Sequence, residues 1–282
     1  MGTSKQLSTP KGGAWTPLKN EITNLIDGDE SVSPTQIVQE TLRAAGGINI
    51  PRAGSGRVSG ARSSDFSATG SDGGIGAGGS GRPRRGRSPR SGSPVGEAVS
   101  GLGGFAQAIR SGGLDRALEL LGVARLKGRP AAEVVSEITE HIARRIEGTQ
   151  RELLTDALRA ALFEAAALQN DGSYENLRDA LDRFLQREGI EGLIELFLTQ
   201  YVFDRVWMLI ENHIDLKTQS NSAADAISVS VENACRSQVA DLIADSKASG
   251  QFDAIDWFGA GGQATGEKLV ADLETRLGGY RQ

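Results

Sequence analysis

IEGLIELFLTQYVFDRVWMLIENHI, residues 190–214, decides the fold. Leu193, Leu196, Phe197, Tyr201, Val202, Val206, Trp207, Leu209 and Ile210 cover more than one narrow stripe of a 3.6-residue repeat. A helix that is apolar over so much of its circumference must be surrounded by others. This segment is therefore expected at the centre of an all-α bundle. It is not a membrane span, because Glu195, Gln200, Asp204 and Arg205 interrupt Leu193–Ile210. A span needs roughly 18–20 uninterrupted apolar residues.

Helices are expected on both sides. Downstream, about 222–246 carries Ile227, Val231, Ala234, Cys235, Val239 and Leu242 at inward positions, and about 263–277 carries Leu269, Val270, Leu273 and Leu277. Ile227–Val231 alternates like a strand for five residues, but its helical neighbours outweigh it. Upstream, Gly189 separates the central helix from one that Ser173 caps, with Leu177, Leu181, Phe184 and Leu185 on one face. Residues 150–169 are rich in Ala and Leu, which favour helix. Pro130 opens another helix, with Val134, Val135, Ile138 and Ile142, and Leu114, Leu118 and Leu121 mark a short one. Near the start of the chain, Thr16 and Pro17 read as the N-cap and first position of a helix with Leu18, Ile22, Leu25 and Ile26. Ser33, Pro34 and Gln36 form a capping-box pattern before Ile37, Val38, Thr41 and Leu42, and Gly46-Gly47 stops that helix.

Between these parts the composition changes. Residues 46–104 hold 18 of the 37 glycines, with Phe66 as their one aromatic. Such a stretch buries too little apolar surface to offset the entropy of ordering it. The expected organisation is a tail plus two short helices over 1–47, a disordered Gly/Ser/Arg-rich linker over 48–100, and an acidic α-helical domain over 101–282. Charge follows the same division. Residues 1–51 carry four basic and five acidic groups, 52–96 carry eight arginines and two aspartates, and 97–282 carry 19 basic and 29 acidic groups.

The chemistry-bearing motifs are few. Gly74–Gly79 fits G-x-G-x-x-G, but no strand precedes it, so it reads as a chance match in a glycine-rich stretch. Gly259–Lys268 resembles a phosphate-binding loop, but Glu267 stands where lysine is required and Leu269 where Ser or Thr is. It reads as a loop between helices. His141 and His213 each stand alone, and the carboxylates fall on solvent-facing helix positions, so neither a catalytic site, a metal site nor a cofactor is expected. Cys235, the single cysteine, forms no disulfide within the chain and fits a reducing cytoplasm. The opening residues carry no apolar secretory segment. Arg82, Arg84, Arg85, Arg87 and Arg90 are the densest basic run and a candidate nucleic-acid contact, weak and sequence-blind because no aromatic is interleaved to stack on bases. Trp257-Phe258 is either a lid on the bundle or a partner anchor.

Removal of Met1 would leave Gly2 with an unhindered α-amine of pKa near 8. Thr3 and Ser4 follow as a candidate recognition tail. Myristoylation fits poorly, because Gln6 stands where Ser or Thr is wanted.

This opening, Met1-Gly2-Thr3-Ser4, with Gly12-Gly13-Ala14-Trp15-Thr16-Pro17-Leu18-Lys19, resembles the QatB family, the helical component of the four-gene Qat anti-phage defence system of bacteria. The resemblance is most specific over the first 20 or so residues. The layout of head, Gly/Ser/Arg strap and acidic helical domain, with Tyr201–Arg205 inside it, agrees with that family. It implies a non-enzymatic scaffold in phage defence that works with an ATPase, a TatD-like nuclease and an enzyme similar to 7-cyano-7-deazaguanine synthase. It also implies that this last enzyme attaches a deazapurine to Gly2. The alternative left by the residues themselves is a nucleic-acid-binding adaptor acting through Arg82–Arg90.

Overall fold

The structure, a computed structural model, describes residues 13, 15–29, 31–49, 92–168, 172–218, 220–252 and 255–278. The described residues form eight α-helices and one short 3-10 turn, with no strand among them. They are α1 (Trp15–Ile26), α2 (Pro34–Ala45), α3 (Pro94–Leu120), α4 (Ala131–Ala143), α5 (Thr149–Ala166), α6 (Tyr174–Lys217), α7 (Asn221–Ala248) and α8 (Ala260–Arg276). The turn, Ala124–Leu126, lies between α3 and α4.

The centre is α6, as its all-round apolar pattern requires. It packs against α1, α2, α3, α4, α5 and α7, and Phe197, Tyr201, Val202 and Val206 are inaccessible to solvent. Gly189 breaks it (φ 75°, ψ −173°), so 174–188 and 190–217 are separate helical segments. This is the left-handed half of backbone space, which glycine enters at little cost. The alternating Ile227–Val231 lies wholly within α7.

Several ends follow local chemistry. Ser33 accepts a hydrogen bond from the Gln36 amide at 3.2 Å, and Gly46 closes α2 in the left-handed conformation (φ 80°). Only half of the expected capping box forms, because the Gln36 side chain donates to Glu21 of α1 instead, at 3.3 Å. Ser173 caps α6 through the Asn176 amide and Ser220 caps α7 through the Ala223 amide.

Three expectations are corrected. Thr16 is not an N-cap: α1 already starts at Trp15, which is buried with Leu18 and Ile22 on one face. Pro17 is tolerated there because first-turn amides have no partner within the helix. Second, α3 starts at Pro94, capped by Ser93, inside the span expected to be linker. It then breaks at Gly112-Gly113. Third, the glycine-rich Gly259–Lys268 is not a loop, because Gly259 is the N-cap of α8 and the rest is its first turns. The second and third share a cause. α3 and α8 pack closely, and their glycines are the contact: a β-carbon at Gly96 would lie 3.1 Å from the Glu267 amide nitrogen, and one at Gly266 would overlap the Gly96 carbonyl oxygen.

Residues 50–91, which include Gly74–Gly79 and Arg82–Arg90, lie outside the described residues, as do Gly2, Thr3 and Ser4.

Candidate functional site

Three places bring polar or aromatic side chains together. The first lies where residues 49 and 92 bound the undescribed segment. Ser93 Oγ donates to Asn49 Oδ1 at 2.9 Å, so the two ends are joined directly. Asn49 Nδ2 donates to Glu274 of α8 at 3.0 Å. Gln150 Nε2, at the start of α5, lies 3.3 Å from both Asn49 Oδ1 and the Tyr201 hydroxyl, and that hydroxyl donates to the Ile48 carbonyl at 2.9 Å. Tyr201 is fully buried, and burial pushes its hydroxyl up to about 12, so it remains a donor. This clip ties α2, α3, α5, α6 and α8 at one point. Tyr201→Phe orphans the Ile48 carbonyl and removes an acceptor from Gln150. The expected loss is about 1–3 kcal/mol of unfolding free energy, read by urea denaturation.

The second place surrounds Asp204, which contradicts the expectation that the carboxylates are solvent-facing. Its carboxyl is pushed up to about 6, chiefly by burial and then by the charges of Asp156 on α5 and Glu232 on α7. Gln200 Nε2 donates to it at 2.7 Å, which opposes the shift. Cys235 lies in the same environment and is buried, with its thiol raised to about 12, so it is an inert small apolar residue. The sign for Asp204 follows from the two states. The folded carboxyl holds its proton to about pH 6 and the unfolded one only to about 3.8. The folded state therefore loses stability as pH rises from 3.8 to 6, by up to about 3 kcal/mol. Asp204→Asn is expected to remove that loss and to be the more stable protein above pH 6. Paired urea denaturation curves at pH 5 and pH 8 check this through the difference between variant and native chain.

The third place is the aromatic pair. Trp257 is 2% exposed and lies over Gly103 of α3. Its amide donates to Gln107 Oε1 at 3.0 Å, its carbonyl accepts from Ser100 at 3.3 Å, and Phe252 sits 6.1 Å away between ring centroids. Trp257 is thus a packing residue and not an accessible anchor. Phe258, 55% exposed over Gly104, is the aromatic of the pair that solvent reaches.

Of the two histidines, His213 joins helices. His213 Nε2 lies 3.1 Å from the Lys19 carbonyl and 3.3 Å from Thr23 Oγ1, which holds α1 to α6. Burial lowers the pKa of both His141 and His213. Among the described residues no group of three or more His, Cys, Asp or Glu could hold a metal ion, and no helix is long and apolar enough to cross a membrane.

These features define an all-helical protein in which Asn49, Gln150 and Tyr201 join distant chain segments to one another. The family model described as Qat anti-phage system associated protein QatB matches residues 85–254. The match spans more than half of the chain, which belongs to the QatB family and is a component of the Qat anti-phage system. It covers α3 to α7, whereas the motif resemblance was carried chiefly by the first 20 or so residues. Neither the comparison with curated proteins nor that with solved structures returned a match.

Proposed function

We propose that this chain is a non-enzymatic cytoplasmic scaffold of the Qat system whose Gly2 amine accepts a deazapurine from a deazaguanine-synthase-like enzyme. On this reading an ATPase and a TatD-like nuclease of the same system are its further partners. Membership of the QatB family carries the reading. The position of α1 supports it. That helix is held by Trp15, Leu18, Ile22 and the His213 contact, and it starts thirteen residues after Gly2. Covalent geometry lets such a length reach at most about 45 Å. An enzyme active site can therefore engage the amine while α1 remains docked. A pKa near 8 leaves about a tenth of the amine as free base at pH 7. On this reading the enzyme presents a deazapurine carbonyl carbon bearing a leaving group: the Gly2 nitrogen bonds to that carbon to form an amide, the leaving group departs with its bonding electron pair, and the nitrogen gives up a proton.

The test is the intact mass and N-terminal peptide of the protein purified from cells carrying its neighbouring genes. The expected result is a chain that starts at Gly2 with the added mass of a deazapurine. Gly2→Pro, which replaces the primary amine by a hindered secondary one, is expected to lack the added mass and to reduce phage protection to the level of cells without the system. A plain N-terminus in the native protein would end this reading. The second reading, a nucleic-acid adaptor, rests on the five arginines of residues 82–90. It predicts binding that weakens steeply with salt and vanishes when they are replaced.

A further inference from the structure

Along α6, Leu196, Gln200, Phe203, Asp204, Trp207 and Glu211 are all part-exposed, while Phe197, Tyr201, Val202, Val206 and Ile210 between them are buried. The spacing i, i+4, i+7, i+8, i+11 and i+15 puts the part-exposed residues on one face. The central helix of the bundle thus keeps one part-exposed strip, whose Leu196, Phe203 and Trp207 pack inward on the core while their outer edges reach solvent. α5 and α7 both pack along α6, and both Asp156 of α5 and Glu232 of α7 act on Asp204. Arg236 of α7 reaches across to Glu164 of α5 at 3.2 Å. Phe203 and Trp207 stack within the strip, with centroids 5.9 Å apart and planes at 20°.

We infer that this strip receives a basic amphipathic segment of a partner protein, whose apolar side packs on Leu196, Phe203 and Trp207 and whose lysines or arginines meet Asp156, Asp204 and Glu232. Charge balance carries the choice of occupant. Asp156, Glu164, Asp204 and Glu232 are served by two cations, Arg159, paired with Asp156 at 3.1 Å, and Arg236, shared between Glu164 and Glu232. Asp204 takes part in no ion pair among the described residues, and Gln200 is its hydrogen-bond donor. A cation brought to it would complete a charge-assisted contact beside an aromatic face, which itself attracts cations. The same strip of a second copy would bring the same surplus of carboxylates and be repelled, so a symmetric contact between strips is disfavoured. The carboxyl's resistance to ionising agrees: in the isolated fold Asp204 costs stability that a bound cation would restore.

The test uses the full chain and an amphipathic Leu/Lys peptide of about four helical turns, with a Leu/Glu peptide of the same pattern as control. Trp15 and Trp257 are 8% and 2% exposed, so the fluorescence change on covering the strip comes from Trp207. The expected result is a blue shift with the Leu/Lys peptide, absent with Leu/Glu and absent in Trp207→Phe. Asp204→Asn and Glu232→Gln, each checked for native helix content by circular dichroism, should each weaken binding about tenfold. Unchanged affinity in both folded variants would overturn the assignment, as would equal binding of the Leu/Glu peptide or no binding at all. A Trp207 shift produced without peptide, by replacing the arginines of residues 82–90, would overturn it too by making the chain its own occupant.

Discussion

Trp257→Ala is expected to lower unfolding free energy by about 3–5 kcal/mol, in the range for a buried tryptophan, while Phe258→Ala changes it by less than about 0.5 kcal/mol. The contrast comes from adjacent residues on one short turn. The Trp257 ring fills the space left by Gly103, and its backbone is held from α3 by Gln107 and Ser100. Removing the ring leaves a void against a glycine that cannot fill it. The Phe258 ring is largely in water, so truncation removes little buried area. Thermal denaturation should show a drop of about 6–20 °C for the first variant and almost none for the second. Equal, small effects would mean that Trp257 does not fasten α8 to α3.

The second large effect is expected at Gly266. Alanine is intrinsically better than glycine in a helix by about 1 kcal/mol, yet Gly266→Ala should destabilise by about 2–3 kcal/mol. Its β-carbon would enter the Gly96 carbonyl oxygen, and both atoms belong to helix backbones that move only if α3 and α8 separate. Gly261 in the same helix is the control. A β-carbon there comes no nearer than 3.5 Å to the Asp256 carbonyl oxygen, an ordinary contact. Gly261→Ala should therefore be neutral or slightly stabilising. Urea denaturation of the two variants gives opposite signs if close helix approach is what the glycines provide, and the same sign if helix propensity alone decides.

This glycine-lined crossing is also where sequence reading fell short. Apolar periodicity located α6, α7, α4 and α2, because each buries a face of large side chains that the 3.6-residue repeat displays. It located the break at Gly189 as well, since a lone glycine between two apolar repeats reads as punctuation. In α3 and α8 the packing atoms are backbone, and the residue that permits such contact is the one that ordinarily signals a loop. Composition therefore placed the boundary near residue 101 and called Gly259–Lys268 a loop. The recurrence of glycine at 262 and 266, four apart, was the available sign of a helical face. Asp204 was missed for another reason. A carboxylate one turn from apolar residues looks solvent-facing until flanking helices remove water from it. Tyr201 was visible as an inward residue, but its partners Ile48, Asn49 and Gln150 are too distant in sequence for any local pattern to reveal.

The Asn49–Ser93 contact makes everything between those residues an insertion in the topological sense. The body enters and leaves it at a single point, as if two neighbouring residues had been parted and a length of chain spliced in. The cost of bringing two points of a chain together grows only with the logarithm of the intervening length, about 0.6 kcal/mol per doubling. By this term alone, the segment can change in length at little cost to the closure of the body around it.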